Sequence, residues 1–244
     1  MNLFIISILF ASAFAGGSSV FFLKRDNRAA LKFILAFSGA YLFSITVLHL
    51  MPHVYNHSEQ FIGLYVLGGF LFQLLMEQFS EGIEHGHVHK QEHGAAFPLG
   101  IMISLCLHAF LEGMPLSQVA YQKELIFGIA LHHIPAAFAL GSLLIQTRLS
   151  KSSIAIYLAI FATATPLGYM LSFGINSGSL GNLELHFDKI MAIVIGIFLH
   201  ISTTILFESS SADHHVFNRQ KLIAVLLGIG ISLLNFVLFG TGHS

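Results

Sequence analysis

Eight apolar runs of about twenty residues each leave this chain little choice of fold. Crossing the hydrocarbon of a bilayer, about 30 Å thick, takes about 20 apolar residues in a helix. Runs of that order fall at about 2–23, 31–53, 60–84, 97–119, 124–146, 153–175, 188–208 and 220–240. Lipid offers no partner to a backbone N–H or C=O, so such spans must satisfy their hydrogen bonds internally, as helices do. Only 9% of the 244 residues are charged and 55% are hydrophobic, whereas soluble domains carry about 25% charged residues. The expected fold class is an all-α integral membrane protein of eight transmembrane helices, forming a single domain over 1–244.

Orientation follows from the cations in the short connections, because Lys and Arg gather on the cytoplasmic side. With the N-terminus outside, Lys24, Arg25, Arg28, Lys32, Lys90, Arg148, Lys151, Arg219 and Lys221 fall inside, and Lys123 and Lys189 outside. Nine against two accounts for every cation in the chain. The alternation works with eight spans, which places both termini outside the cytoplasm. The opening MNLFIISILFASAFAGG has the apolar core and small-residue end of a secretory signal. It lacks a positive segment before that core, and is read as the first span.

Several classes of function drop out. A single cysteine, Cys106, excludes an internal disulfide and a cysteine-cluster metal site. No basic footprint supports nucleic-acid binding. The unusual count is fifteen His against eleven Lys plus Arg.

The polar residues inside the spans carry the functional signal. A charged or titratable group at bilayer mid-depth costs several kcal/mol unless it is partnered, and so marks a functional site. His108 and Glu112 stand mid-way along the fourth run, one helical turn apart on one face. His132 and His133 stand mid-way along the fifth, pointing about 100° apart. Pro115 and Pro135 each withhold an N–H, from the carbonyls of Leu111 and Leu131, and irregular backbone at this depth is tolerated where it lines a cavity. In the second run His49 and His53 flank Pro52, His49 about one turn deeper. Glu77, Glu81 and Glu84 share a stripe at the inner end of the third run. They lead into His85, His87, His89 and His93, an alternating histidine loop suited to transient capture of borderline cations. His200, Thr204 and Glu208 form a polar stripe in the seventh run. Thr163 and Thr165 are read as satisfying helix carbonyls, Cys106 as packing, and Asn235 as a contact between helices.

These residues resemble the ZIP (Zrt/Irt-like) family of divalent-metal transporters. HAFLEG at 108–113 is similar to that family's fourth-helix motif, His-Asn-x-x-Glu/Asp-Gly. HHIPAA at 132–137 is similar to its fifth-helix motif, His-Glu-x-Pro-His-Glu, and HLMPH at 49–53 to the second-helix His-Leu-Leu-Pro-His of one branch. The likeness runs the length of the chain and is most specific in the fourth and fifth helices. It implies a metal site built from His49, His108, Glu112 and His132, with His133 where the family often has an acid serving a second metal position. Ala109 and Ala136 replace motif ligands, and Thr165 stands where some members carry Glu. One main metal, not a binuclear pair, is therefore expected.

The function expected is zinc uptake into the cytoplasm, with no enzymatic activity. Imidazole with one carboxylate suits Zn²⁺ and admits Fe²⁺, Mn²⁺, Co²⁺ and Ni²⁺. The partners expected are these cations, the lipid bilayer of the plasma (inner) membrane and, as an assembly to consider, a homodimer. No organic cofactor is expected. Secondary positions are His53, Glu77, Glu81, His85, His87, His89, His200 and Glu208. Three rivals have weaker support. An intramembrane metalloenzyme would need a general base in a motif such as His-Glu-x-x-His, which is absent. A haem redox protein would leave Glu112 unexplained. A sensor would bind metal without moving it.

Overall fold

The computed structural model describes residues 2–22, 28–57, 61–80, 98–117, 122–177, 187–208 and 219–239. Helix α1 (Leu3–Ser18) closes with a 3₁₀ turn at Ser19–Phe21. Helix α2 (Arg28–Ile45) passes through a π turn (Thr46–Leu50) into α3 (Met51–His57). Then come α4 (Ile62–Ser80), α5 (Leu99–Gly113) with a 3₁₀ turn at Met114–Ser117, α6 (Gln122–Leu144), α7 (Lys151–Asn176), α8 (Phe187–Glu208) and α9 (Arg219–Phe239). Among the described residues eight helices are long and apolar enough to cross a membrane, α2 and α3 counting as one. The chain is an all-α integral membrane protein of eight spans.

The second span runs four residues beyond the expected end at 53, to His57. Pro52 lacks an N–H and crowds the turn before it. The chain absorbs this by widening: the Met51 N–H reaches back to the Thr46 carbonyl, five residues away, and the helix continues. The third span is described only to Ser80, so 81–84 of the expected run lie outside the described residues.

Close backbone approach divides the spans into two groups. In one, α1, α5, α6 and α7 share an apolar core that includes Ala13, Leu105, Ala109, Leu140, Leu158 and Phe161. Here a Cβ on Gly168 would lie 1.8 Å from the Phe110 carbonyl, and one on Gly113 2.1 Å from the Thr165 carbonyl. In the other, α2 packs on α8 and α9, and α4 packs on α8. A Cβ on Gly69 or Gly196 would stand 1.9 Å from the Ile193 or Val66 carbonyl, so α4 and α8 touch backbone to backbone. Asn235 of α9 shares a hydrogen bond with the Tyr41 hydroxyl of α2, the interhelical role expected for it.

Side chains fill the seam between the groups. Tyr41, Leu42 and Ile45 of α2 share one apolar cluster with Leu125 and Ile129 of α6 and Ile5 and Leu9 of α1. Gly128 of α6 receives the Tyr41 ring and the Leu42 methyls, not a backbone. Outside, Leu64, Leu67, Leu71 and Leu75 make an exposed stripe on α4, and Ile223, Leu226, Leu227 and Leu234 another on α9. Apolar area of that size is unfavourable in water at about 25 cal/mol per Å² and is at rest against lipid.

Candidate metal centre

His108 and Glu112 sit one turn apart on the buried face of α5, beside Leu105 and Ala109. Pro115 ends the helix just below them, though not by opening it. The Met114 N–H bonds the Leu111 carbonyl, and the chain tightens into a 3₁₀ turn. The Leu111 carbonyl expected to be left without a partner is thereby satisfied, as the shorter i→i+3 bond allows at a helix end. Helix α6 runs through Pro135 without interruption and presents His132 and His133. All four side chains are at most 1% exposed.

One donor atom from each of His108, Glu112 and His132 lies within 4.8 Å of the other two. A tetrahedral shell with bonds of about 2.0–2.2 Å would space its donors roughly 3.3–3.6 Å apart. Small side-chain rotations would close the difference, so the donor set fits a borderline divalent cation. His108 Nε2 is 3.5 Å from Glu112 Oε1. The rings of His108 and His132 face edge to plane, with centroids 6.1 Å apart. His133 is attached to the cluster by another route: its Nε2 is 2.5 Å from the second carboxylate oxygen, Oε2, of Glu112. Its Nδ1 is 3.3 Å from Thr165 Oγ1 on α7.

The energetics require such partners. An isolated carboxylate in a medium of low dielectric costs roughly tens of kcal/mol, against a net stability of about 5–15 kcal/mol for a folded domain. Glu112 is held by the His133 N–H and by its proximity to His108, and a bound dication would compensate its charge outright. The group is thus built around an anion that a cation completes.

The remaining expected positions fall elsewhere. His49, on the π turn, is buried with its ring edge-on to Phe236 of α9 at 5.2 Å, outside the three-residue cluster. His53 is half-buried on α3. His200 Nε2 of α8 lies 2.6 Å from Glu77 Oε2 of α4, with Phe70 edge-on to the imidazole at 4.9 Å. This second carboxylate–imidazole pair joins two stripes that the sequence gives separately. Glu81, His85, His87 and His89 lie outside the described residues, as does the side chain of Glu208. Cys106 packs, half-buried, against the core of its own helix group. Sequence reasoning gave Thr165 a purely local role and missed its reach to His133.

Fold and geometry together define a polytopic membrane protein with a buried His/Glu cluster inside its helix bundle that could hold a divalent metal. Comparison with known proteins extends this to a family. The profile described as ZIP Zinc transporter matches residues 1–99 and 97–235. The chain is 31% identical over 210 residues to Zinc transporter ZIP9-B of Xenopus laevis, covering 75% of this chain and 68% of that protein. It is 29% identical over 209 residues to Zinc transporter ZIP9 of Micropogonias undulatus, covering 75% and 66%. It is 24% identical over 153 residues to Zinc transporter ZIP1 of Takifugu rubripes, covering 62% and 50%. The chain belongs to the ZIP zinc transporter family, a family of transporters and not of enzymes.

Proposed function

We propose that this chain carries Zn²⁺ across the plasma (inner) membrane into the cytoplasm through a single site formed by His108, Glu112 and His132. The observation that carries the reading is the approach of these three buried donors to within 4.8 Å of one another at mid-span. The ion comes from the outer side, past His53 and His49 on the second span, and exchanges water for imidazole and carboxylate. His49, on the π turn of the second span, adds the fourth ligand as the two helix groups shift across their side-chain seam. The ion leaves toward Glu77 and His200, then Glu81, Glu208 and the histidines at 85, 87 and 89. Fe²⁺, Mn²⁺, Co²⁺ and Ni²⁺ compete for the same donors. Both termini face outward, as the nine-to-two distribution of cations supports.

The test is uptake of ⁶⁵Zn²⁺ into liposomes holding the purified protein, beside the His108→Ala/Glu112→Ala double variant. Uptake falls to the level of empty liposomes in the variant. The bundle stays folded, because buried titratable groups at this depth cost stability. Uptake by the variant at the rate of the parent protein would overturn the site.

A further inference from the structure

Glu112 has two oxygens, and they have different neighbours. Oε1 faces His108 at 3.5 Å, while Oε2 is bound by His133 Nε2 at 2.5 Å. With Glu112 ionised, its oxygens only accept, and His133 Nε2 is then the donor. In the neutral imidazole Nδ1 is then an acceptor, and the Thr165 hydroxyl, 3.3 Å away, is placed to donate to it. We propose that Thr165 is a positioning residue for the metal centre. Through His133 it holds one oxygen of Glu112 out of ligation, so that the carboxylate offers the ion a single oxygen. This rests on the reading above that His108, Glu112 and His132 bind the cation.

Three observations support the role. First, Thr hydroxyls in these spans commonly turn back to their own helix: Thr163 bonds the Ile160 carbonyl at 2.7 Å, Thr203 that of Leu199 at 2.6 Å, and Thr204 that of His200 at 2.9 Å. Thr165 instead reaches across to α6. Second, its place is fixed by the backbone, because α7 is seated against α5 at Gly113 and Gly168 with no room for a Cβ. The Thr165 carbonyl rests on Gly113, the residue after Glu112. Third, the imidazole it addresses is clamped, with Phe161, one turn before Thr165, against the His133 ring at 5.9 Å. Thr165 and Phe161 are each 1% exposed, so bulk water does not compete for the hydroxyl. Groups that hold a ligand in place change metal affinity by about 10–100-fold. A one-oxygen Glu112 keeps the coordination number low, which suits Zn²⁺ and Co²⁺ with imidazole better than ions that want six oxygens. Thr165 thereby acts on selectivity as well as affinity.

The experiment uses Co²⁺ alone as the probe, titrated into the purified full-length protein and followed by its d–d absorption, which is strong in four-coordinate and weak in six-coordinate sites. Thr165→Val keeps the shape and removes the hydroxyl. It binds Co²⁺ about tenfold more weakly, with weaker d–d bands, while Thr165→Ser restores both. In a His133→Leu background Thr165→Val adds nothing, since the string is already cut. Thr165→Ala gives the same comparison if the valine variant does not accumulate. Parent-like affinity and bands in Thr165→Val, or an effect undiminished in the His133→Leu background, would overturn the proposal. A Co²⁺ spectrum indifferent to His108→Ala would refute the metal centre itself, and the proposal with it.

Discussion

His49 is a buried histidine on the opposite helix group from the cluster, with its ring edge-on to Phe236. Its removal leaves His108, Glu112 and His132 in place and takes away only the proposed fourth ligand. His49→Ala therefore raises the KM for Zn²⁺ uptake about three- to tenfold, roughly 0.7–1.4 kcal/mol, without abolishing uptake. Initial rates over a range of Zn²⁺ concentrations check it, and complete loss would make His49 indispensable at the centre. At this scale the sequence was legible wherever one residue was anomalous by itself. A titratable group within an apolar run is such an anomaly, and His108, Glu112, His132 and His200 are all marked by it. Pairings were not legible. Thr165 lies 32 residues from His133, and His200 lies 123 from Glu77. A threonine in a span is expected to bond its own helix, and only the α6–α7 approach shows that this one does not.

Helix existence follows from run length alone, so the sequence anticipates all eight spans, and the end of the second is misplaced where proline chemistry intervenes. Pro52 stands at the expected end of the second span, at 53, and the π turn carries the helix on to His57. Pro115 was expected to open the fourth span, and a 3₁₀ turn closes it. Which helices would neighbour one another was not readable, because a glycine in an apolar run marks a close approach without naming its partner. Gly68 and Gly69 make the point. A Cβ at Gly68 meets nothing within 4 Å, whereas at Gly69 it would lie 1.9 Å from the Ile193 carbonyl. Gly69→Ala must push α4 off α8 and costs about 3 kcal/mol, the upper part of the overpacking range. Gly68→Ala is neutral or stabilising by about 0.5–1 kcal/mol. Thermal unfolding of the two variants in detergent, followed by circular dichroism, separates them, and equal midpoints would deny the close α4–α8 contact.

At the scale of the whole molecule, a transporter that moves a dication without a compensating charge feels the membrane potential twice over. An inside-negative potential of 100 mV favours inward passage by roughly 4–5 kcal/mol. Imposing that potential on liposomes raises Zn²⁺ uptake and reversing it suppresses uptake, while indifference to both would mean that another charge travels with the ion. The lipid boundary adds a consequence of its own. The exposed apolar stripes lie on α4 and α9, of 19 and 21 residues, which at 1.5 Å per residue are about 29 and 32 Å long. Helix α7, with 26 residues, is about 39 Å long. Over their described residues α4 and α9 are thus long enough to cross an ordinary bilayer, and α7 must lean or let its ends stand clear of the hydrocarbon. A membrane that thins or thickens therefore presses first on the α4 and α9 rim, in the helix group that does not carry His108, Glu112 and His132.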